Sequence, residues 1–329
     1  MGLIRDIAVA LEMSEDDISR IVSTAPRRYK IFAIPKRSGF GQRIIAQPAR
    51  ELKAIQRYLI AEKLRGLRVH PIATAYRVGM SIADNAAHHV KNRVIMKLDF
   101  KDFFHSITPN DLLSLIKKTD IDTITREDRA LLSSILFWLN PFENRLCLSI
   151  GAPSSPHISN VVMEPLDREF YKVARDYSTV CTRYADDITL SSNSVEKLLK
   201  VEQRIRRIIS RSSQPRLTFN EEKRGIFTKA GRRIVTGLVL TPNAKLSLGR
   251  DRKRKISAAL HHISIGRNVT QEHREQTRGW LAYAKSVEPS FVDKMSRKYS
   301  VAFQSVIRMA ILPSGISAES VDTTEVDME

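Results

Sequence analysis

Three carboxylates far apart in the chain are the side chains best placed to do chemistry. Asp186 and Asp187 stand side by side in Tyr184-Ala185-Asp186-Asp187, at the crest of an apolar, β-rich stretch, and Asp99 ends the run Arg93-Val-Ile-Met-Lys-Leu-Asp99. Adjacent carboxylates repel each other unless cations sit between them, and hard oxygen ligands suit Mg²⁺, which prefers octahedral oxygen coordination and keeps substrate phosphates in its shell. An Asp-Asp pair by itself is most often a solvated turn or a helix cap. A third carboxylate at the end of a neighbouring strand changes the reading, because three carboxylates can hold two metals. One Mg²⁺ then lowers the pKa of an attacking hydroxyl, and both offset the charge that develops as pyrophosphate leaves. Asp102 is close in sequence, but a turn or helix position makes it a solvated or capping residue.

Positioning these groups requires a mixed α/β framework. Val180–Tyr184 and Ile188–Ser191 read as paired strands with the Asp-Asp turn at the hairpin tip, and Arg93–Asp99 as a strand beside them. Upstream, residues 3–24 read as two short helices with Ser14 and Asp17 at capping-box spacing. Tyr29–Ile34 and Arg43–Ala46 form a hairpin with the basic tip Lys36-Arg37-Ser38-Gly39-Phe40-Gly41. Helices are expected over 49–64, from Ile82 through His89, over 109–118 with Pro109 at the first helical position, over 126–139, over 154–177 and over 194–211. Further strands are expected at 216–219 and 223–228, and a hairpin joining 234–240 to 245–248. From Arg250 the pattern turns helical and basic, with segments near 251–264, 270–286 and 290–309. The last residues, 313–329, are rich in Ser, Thr and acid and read as disordered. No internal repeat is visible.

Composition narrows the partners. A chain of 329 residues has room for two domains or one elaborated enzyme fold, at about 100–200 residues per domain. No apolar run approaches the ~20 residues that cross a bilayer, and Met1–Met13 carries Arg5, Asp6 and Glu12 in place of a secretory leader. The expectation is a cytoplasmic protein without a membrane partner. Cys147 and Cys181 lack CxxC spacing, which argues against a zinc knuckle or a disulfide framework. Lys and Arg number 54 against 36 acidic residues, a net charge of +18, and Glu319, Asp322, Glu325, Asp327 and Glu329 concentrate the basic excess in the preceding chain. Nucleic acid is the commonest reason for such an excess, since neutralised phosphates release counterions; a merely basic soluble protein or a membrane-surface binder is the alternative.

The motifs now fall into a known order. Asp99-Phe-Lys-Asp-Phe-Phe104, Gly151-Ala-Pro-Ser-Ser-Pro156, Tyr184-Ala-Asp-Asp187, Asn220-Glu-Glu-Lys223 and Val235-Thr-Gly237 resemble the successive motifs of reverse transcriptases. Asn85-Ala86-Ala87-His88-His89 and Val235-Thr236-Gly237 make the chain similar, within that superfamily, to the retron reverse transcriptases. The resemblance runs from about Arg27 to Lys285. It implies an α+β right-hand polymerase with an antiparallel palm sheet: N-terminal helices and fingers over 1–98, palm over 99–240 with finger helices inserted at about 109–150, a helical RNA-binding thumb over 241–312, and the acidic tail over 313–329.

The resemblance also implies roles. Asp99, Asp186 and Asp187 would bind two Mg²⁺, with the Phe100 carbonyl as a further ligand. Phe104 would lie beneath the sugar and exclude a 2′-hydroxyl; without the resemblance, Phe103 and Phe104 both read as core aromatics. Lys36, Arg37 and Arg43 would meet the triphosphate of the incoming deoxynucleotide. Gly151, Ala152 and Pro153 would let the backbone approach template and nucleotide. Lys223 would contact phosphate or protonate pyrophosphate, against the equal reading of a surface lysine. Asn85, His88, His89, Val235, Thr236 and Gly237 would select RNA, as would Arg278 and Trp280 of the thumb, although Trp280 also fits a core position. The two histidines lack the Cys or third His that zinc requires. Ile150 stands where related enzymes usually have glutamine, which removes amide hydrogen bonds to nucleotide or template.

These readings imply an RNA-directed DNA polymerase with a dedicated structured noncoding (msr-msd) RNA as primer and template. Synthesis would begin at the 2′-hydroxyl of an internal guanosine and give a branched msDNA product. A separate effector protein, anti-phage defence and a host ribonuclease H complete the expectation. A group II intron or diversity-generating reverse transcriptase is the first rival, disfavoured by the retron-like motifs. A noncatalytic RNA-binding scaffold is the second, disfavoured by the retention of all three aspartates.

Overall fold

The computed structural model describes residues 2–35, 41–118, 124–267 and 270–308. The chain divides between Lys245 and Leu246 into two compact units. Lys36 and Arg37 of the basic hairpin tip, and the acidic 313–329 segment, lie outside the described residues.

The first unit is built around a four-stranded antiparallel sheet in the order Val180–Tyr184, Asp187–Ser192, Val94–Asp99, Gly225–Phe227. Val94–Asp99 is central, and five of its six residues are buried, because helices cover the sheet. A strand buried in this way needs the near-continuous apolar run that Val94-Ile-Met-Lys-Leu supplies. The helices Ser155–Asp176 and Val195–Arg211 pack on each other and on the sheet. Ile158, Val162, Phe170, Leu198 and Ile205 enter the same core as Met96, Leu98 and Leu190. Ser194 caps the second helix by accepting from the Lys197 amide.

Around this core the elements largely follow the sequence pattern. Leu3–Leu11 and Glu15–Thr24 are helices, the second capped by Ser14 through the Asp17 amide. Tyr29–Pro35 and Gln42–Pro48 pair in antiparallel register. The helix Arg50–Tyr58 passes into a π-turn over Leu59–Lys63. Ile82–Ala87 opens with a reciprocal Ser81–Asp84 capping box and ends before His88 and His89.

Four expectations need correction. The helix expected over 126–139 stops at Leu136, and Trp138–Asn140 is a strand paired with Arg145–Cys147. Packing favours the change: the Trp138 ring lies against Tyr29 at 6.0 Å, and Pro141 holds Asn140 in the extended region that the strand uses. The stretch 216–219 forms only one bridge, Phe219 to Phe100, where the two rings stack at 4.9 Å. The single strand expected over 234–240 is split by a turn: Ile234–Val235 pairs with Leu238–Leu240 around Thr236 and Gly237, whose φ angles of 46° and 80° suit a two-residue turn. The last expected helix is two, Pro289–Lys298 and Ser300–Arg308.

The second unit contains those two helices with Arg250–Ser264 and Gln271–Val287. Leu260, Leu281, Phe291, Met295 and Val306 form its own apolar core. Glu288, between two helices, accepts from the Ser247 hydroxyl, the Leu248 amide and the Lys253 ammonium. Among the described residues, no helix is long and apolar enough to cross a membrane.

Candidate active site

Antiparallel register brings the three aspartates to one end of the sheet. Asp99 and Asp187 are direct cross-strand partners, and Ala185-Asp186 forms the turn between Tyr184 and Asp187. The Phe100 amide donates to the Asp186 carbonyl at 3.1 Å, tying the end of one strand to the turn of the other. Desolvation, then the Asp99 charge, holds Asp186 above the usual carboxylate range, against the pull of Lys223 and Arg43. Burial of its carboxyl group, the Asp186 charge and a hydrogen bond shared with Asp99 push Asp187 up to about 7. Asp187 keeps a solvent-exposed edge, so the repulsion by two neighbouring carboxylates is the firmer cause.

Lys223 answers part of that negative charge. Its ammonium donates to both Asp99 oxygens, at 2.8 and 2.9 Å, while Asp99 is buried and the Lys223 side chain is 56% exposed. Burial would lower the lysine pKa, but the bond to Asp99 and the fields of all three aspartates outweigh it and raise it. The turn carrying Lys223 is tied down on both sides. Arg206 makes a bidentate pair with Glu221, and Arg224 one with Glu202 of the Val195–Arg211 helix. Among the described residues no three acidic, His or Cys side chains form a ready-made metal cage. The donor set nevertheless fits hard divalent cations: three convergent carboxylates, mutually repelling, one already drawing a cation to itself.

Asp99, Asp186 and Lys223 open on a cavity of about 810 Å³, lined among others by Arg43, Tyr76, Phe104 and Ile150. The two phenylalanines part company here. Phe103 is 3% exposed and belongs to the core, whereas Phe104 is half-buried, faces the cavity and lies 6.4 Å from the Tyr76 ring. Ile150 lines the same cavity, and its carbonyl accepts from the Ala46 amide at 2.9 Å. That bond brings Gly151 against the finger strand. At φ +125°, a Cβ on Gly151 would meet the Ala46 carbonyl at 3.0 Å and Ile45 at 3.1 Å. The close approach that requires glycine is therefore to the chain's own backbone. Ala152 is buried and Pro153 half-buried.

The two segments expected to select RNA are joined to each other and to the hairpin that carries Asp186 and Asp187. Thr236 Oγ1 donates to the Ile82 carbonyl at 2.9 Å, so the Val235-Thr236-Gly237 turn clasps the start of the Ile82–Ala87 helix. From that helix Asn85 accepts from Thr74, whose amide donates to the Arg183 carbonyl on the hairpin. His89 Nδ1 lies 2.7 Å from Ser191 Oγ and Nε2 2.8 Å from Thr182 Oγ1, bridging both strands of the hairpin. Asn85, His89 and Val235 are all fully buried, and their side chains support the segment from within. His88 and Gly237 stay exposed, and Thr236 is half-buried.

Burial makes His89 a pH probe. Desolvation first, then the neighbouring His88, lowers its pKa to about 3. In the unfolded chain it would titrate near 6.5, so the unfolded state binds the extra proton between those values and stability falls as pH drops from about 6.5 towards 3. Each unit of pH in that window costs up to about 1.4 kcal/mol from this group. Replacing His89 with Gln is expected to flatten the acid limb of melting temperature against pH, read by circular dichroism between pH 7 and 4.

In the second unit Arg278 and Trp280 are half-buried on the Gln271–Val287 helix. The Trp280 ring packs on the unit's core, and the Lys255 ammonium lies 4.3 Å from its centroid.

Sequence reasoning missed three members of this arrangement: Tyr76 in the cavity, the Lys223–Asp99 pair, and the partner of Arg183. Arg183 Nε and Nη2 reach the two oxygens of Asp167 at 2.7 and 2.6 Å, with both side chains wholly buried. A lone arginine inside an apolar strand was the available signal, since a buried charge requires a partner.

Carboxylates at the ends of adjacent antiparallel strands, beneath a cavity with a basic flank, are a donor set suited to metal-assisted phosphoryl transfer. A model of the family described as "Reverse transcriptase (RNA-dependent DNA polymerase)" matches residues 34–275. The chain is 37% identical over 299 residues to the Retron Ec83 reverse transcriptase of Escherichia coli, covering 89% of this chain and 94% of that protein. It is 31% identical over 307 residues to the Retron Ec86 reverse transcriptase of the same organism, covering 91% of each. The chain belongs to the retron reverse transcriptases, right-hand RNA-directed DNA polymerases that take an RNA template and deoxynucleotide substrates. Among solved structures it is similar to apo telomerase from Candida Tropicalis, with a TM-score of 0.49 at 15% identity, covering 84% of this chain and 58% of that one.

Proposed function

We propose that this enzyme copies a dedicated structured noncoding (msr-msd) RNA that is both its primer and its template. Synthesis starts at the 2′-hydroxyl of an internal guanosine and yields a branched RNA–DNA molecule, msDNA. The observation that supports its nucleotidyl transfer is the meeting of Asp99, Asp186 and Asp187 at one sheet end, with Asp99 and Asp186 lining a cavity that Phe104 and Arg43 also line. Residues 1–98 serve as N-terminal helices and fingers, 99–240 as palm and 241–312 as thumb.

Asp99, Asp186 and Asp187, with the Phe100 carbonyl, would hold two Mg²⁺, which when bound activate the attacking hydroxyl and offset the charge on departing pyrophosphate. The residues of the chain do the rest. Arg43, with Lys36 and Arg37 of the same hairpin, draws in the triphosphate. Lys223 stands at Asp99 with a raised pKa, a proton donor within the cavity for the leaving group. Phe104 excludes a 2′-hydroxyl from the sugar site, and Gly151 and Pro153 border the template path. Exposed His88 and Gly237, half-buried Thr236, and Arg278 and Trp280 of the thumb meet the RNA, helped by the +18 charge. The enzyme works in the cytoplasm, with a separate effector protein, in anti-phage defence, and a host ribonuclease H removes the template.

The test is made on the nucleic acid itself. Sequencing what copurifies with the full chain is expected to return one structured RNA covalently joined to complementary DNA. Treatment with a debranching enzyme should release the DNA as a linear strand of unchanged length. A product that the enzyme leaves intact, with DNA continuing from an RNA 3′ end, would reject 2′ priming and favour an intron-like or diversity-generating polymerase.

A further inference from the structure

Beneath the catalytic turn lies a charged pair that the reaction itself does not use. Arg183 is the penultimate residue of the strand that leads into the turn, and Asp167 projects from the long Ser155–Asp176 helix. Their fork-to-fork contact uses Nε and one terminal nitrogen of the guanidinium. The other donors are also directed: Nη2 reaches Asn160 Oδ1 at 3.2 Å, and Nη1 donates to the Ala185 carbonyl at 2.9 Å. The Arg183 main chain is fixed as well, its amide donating to Ile72 at 2.7 Å and its carbonyl accepting from Thr74 at 2.9 Å.

Ala185 is the residue under tension. It is buried and sits at φ +58°, a left-handed conformation that a residue with a Cβ adopts at a cost and that persists only where its surroundings enforce it. Its carbonyl is the atom that Arg183 grips, and the next residue is Asp186. Filling such a site with apolar side chains commonly serves stability as well as a buried ion pair does. Directed hydrogen bonds to a strained peptide are what apolar packing cannot supply.

We propose that Arg183, braced by Asp167 and Asn160, is a positioning residue for the catalytic aspartates: by holding the Ala185 carbonyl it keeps the turn in the left-handed conformation that sets Asp186 and Asp187 towards Asp99. This rests on the metal-site reading above. Lysine at this position keeps the charge and loses the planar fork.

The full chain, freed of nucleic acid, is titrated with Tb³⁺, a hard probe of carboxylate sites whose luminescence nearby Tyr184 sensitises. The parent protein is expected to show a saturable signal that Asp186→Asn with Asp187→Asn removes; a signal indifferent to those changes would overturn the metal site and this inference with it. Arg183→Lys is expected to weaken Tb³⁺ binding and lower kcat by about tenfold or more, with KM for deoxynucleotide unchanged. Adding Ala185→Gly should recover part of both, because glycine enters the left-handed region freely. Should Arg183→Lys fail to fold by circular dichroism, Asn160→Ala removes one acceptor and is expected to cost about threefold in the same two readouts. Unchanged Tb³⁺ affinity and kcat in a folded variant would overturn the proposal. So would a loss that Ala185→Gly leaves unrelieved, which would mark Arg183 as a general stabiliser.

Discussion

Replacing Asp186 and Asp187 together with Asn is expected to abolish DNA synthesis on the cognate RNA while RNA binding persists. Metal ions contribute several kcal/mol to stabilising the charge of the transition state, so the loss should be on the order of 10³-fold or more. The variant removes two negative charges from a surface that receives phosphates, and RNA affinity should hold or rise slightly. Stability provides an independent check on the electrostatics. The folded pKa of Asp187 is raised to about 7, so its favourable contribution is complete below the unfolded value near 3.9 and is lost as pH rises through 7. Asparagine does not ionise. In a chelator-containing buffer the double variant should therefore melt progressively higher than the parent as pH climbs from 4 to 8. DNA synthesis at the parental rate would reject the assignment of the aspartates, and a constant difference in melting temperature would reject their mutual repulsion.

Phe104→Ala is expected to admit ribonucleotides. The ring lies half-buried at the cavity edge near Tyr76, and exclusion by bulk fails when the bulk is removed. A steric contact of this size is worth roughly one to two orders of magnitude in discrimination. The readout is the ratio of kcat/KM for a deoxynucleotide to that for the matching ribonucleotide on one primed template, with Phe104→Val expected to fall between Ala and Phe. Because Phe103 holds the core position, the alanine variant should stay folded. Discrimination as strict as the parent's would place the sugar elsewhere in the cavity.

The elements bearing the aspartates were legible because their signals are local. The β-rich runs Val180–Tyr184 and Asp187–Ser192, broken by Ala185-Asp186, need only strand propensity and a turn, and the apolar run ending at Asp99 needs only the burial of both faces. Residues that depend on distant partners were not legible. Nothing near Arg183 points to Asp167 on a preceding helix, and nothing near Lys223 points to Asp99. His89 looks like a surface residue beside His88, and only the hydroxyls of Thr182 and Ser191, brought over by tertiary pairing, let it be buried. The helix expected over 126–139 was lost to Trp138, whose packing on Tyr29 overrode the local helical pattern.

The clasp between Thr236 and Ile82 has a bearing on chimaeras assembled from related enzymes. Thr236 donates to a main-chain carbonyl, and that acceptor survives any side-chain change at position 82 that preserves the start of the helix. Its turn is therefore a portable part. Asn85 with Thr74, and His89 with Thr182 and Ser191, are matched through side chains, so each set can be transplanted only whole. A graft that moves residues 82–89 into a host whose strands lack those hydroxyls would press an unsatisfied histidine against the buried sheet.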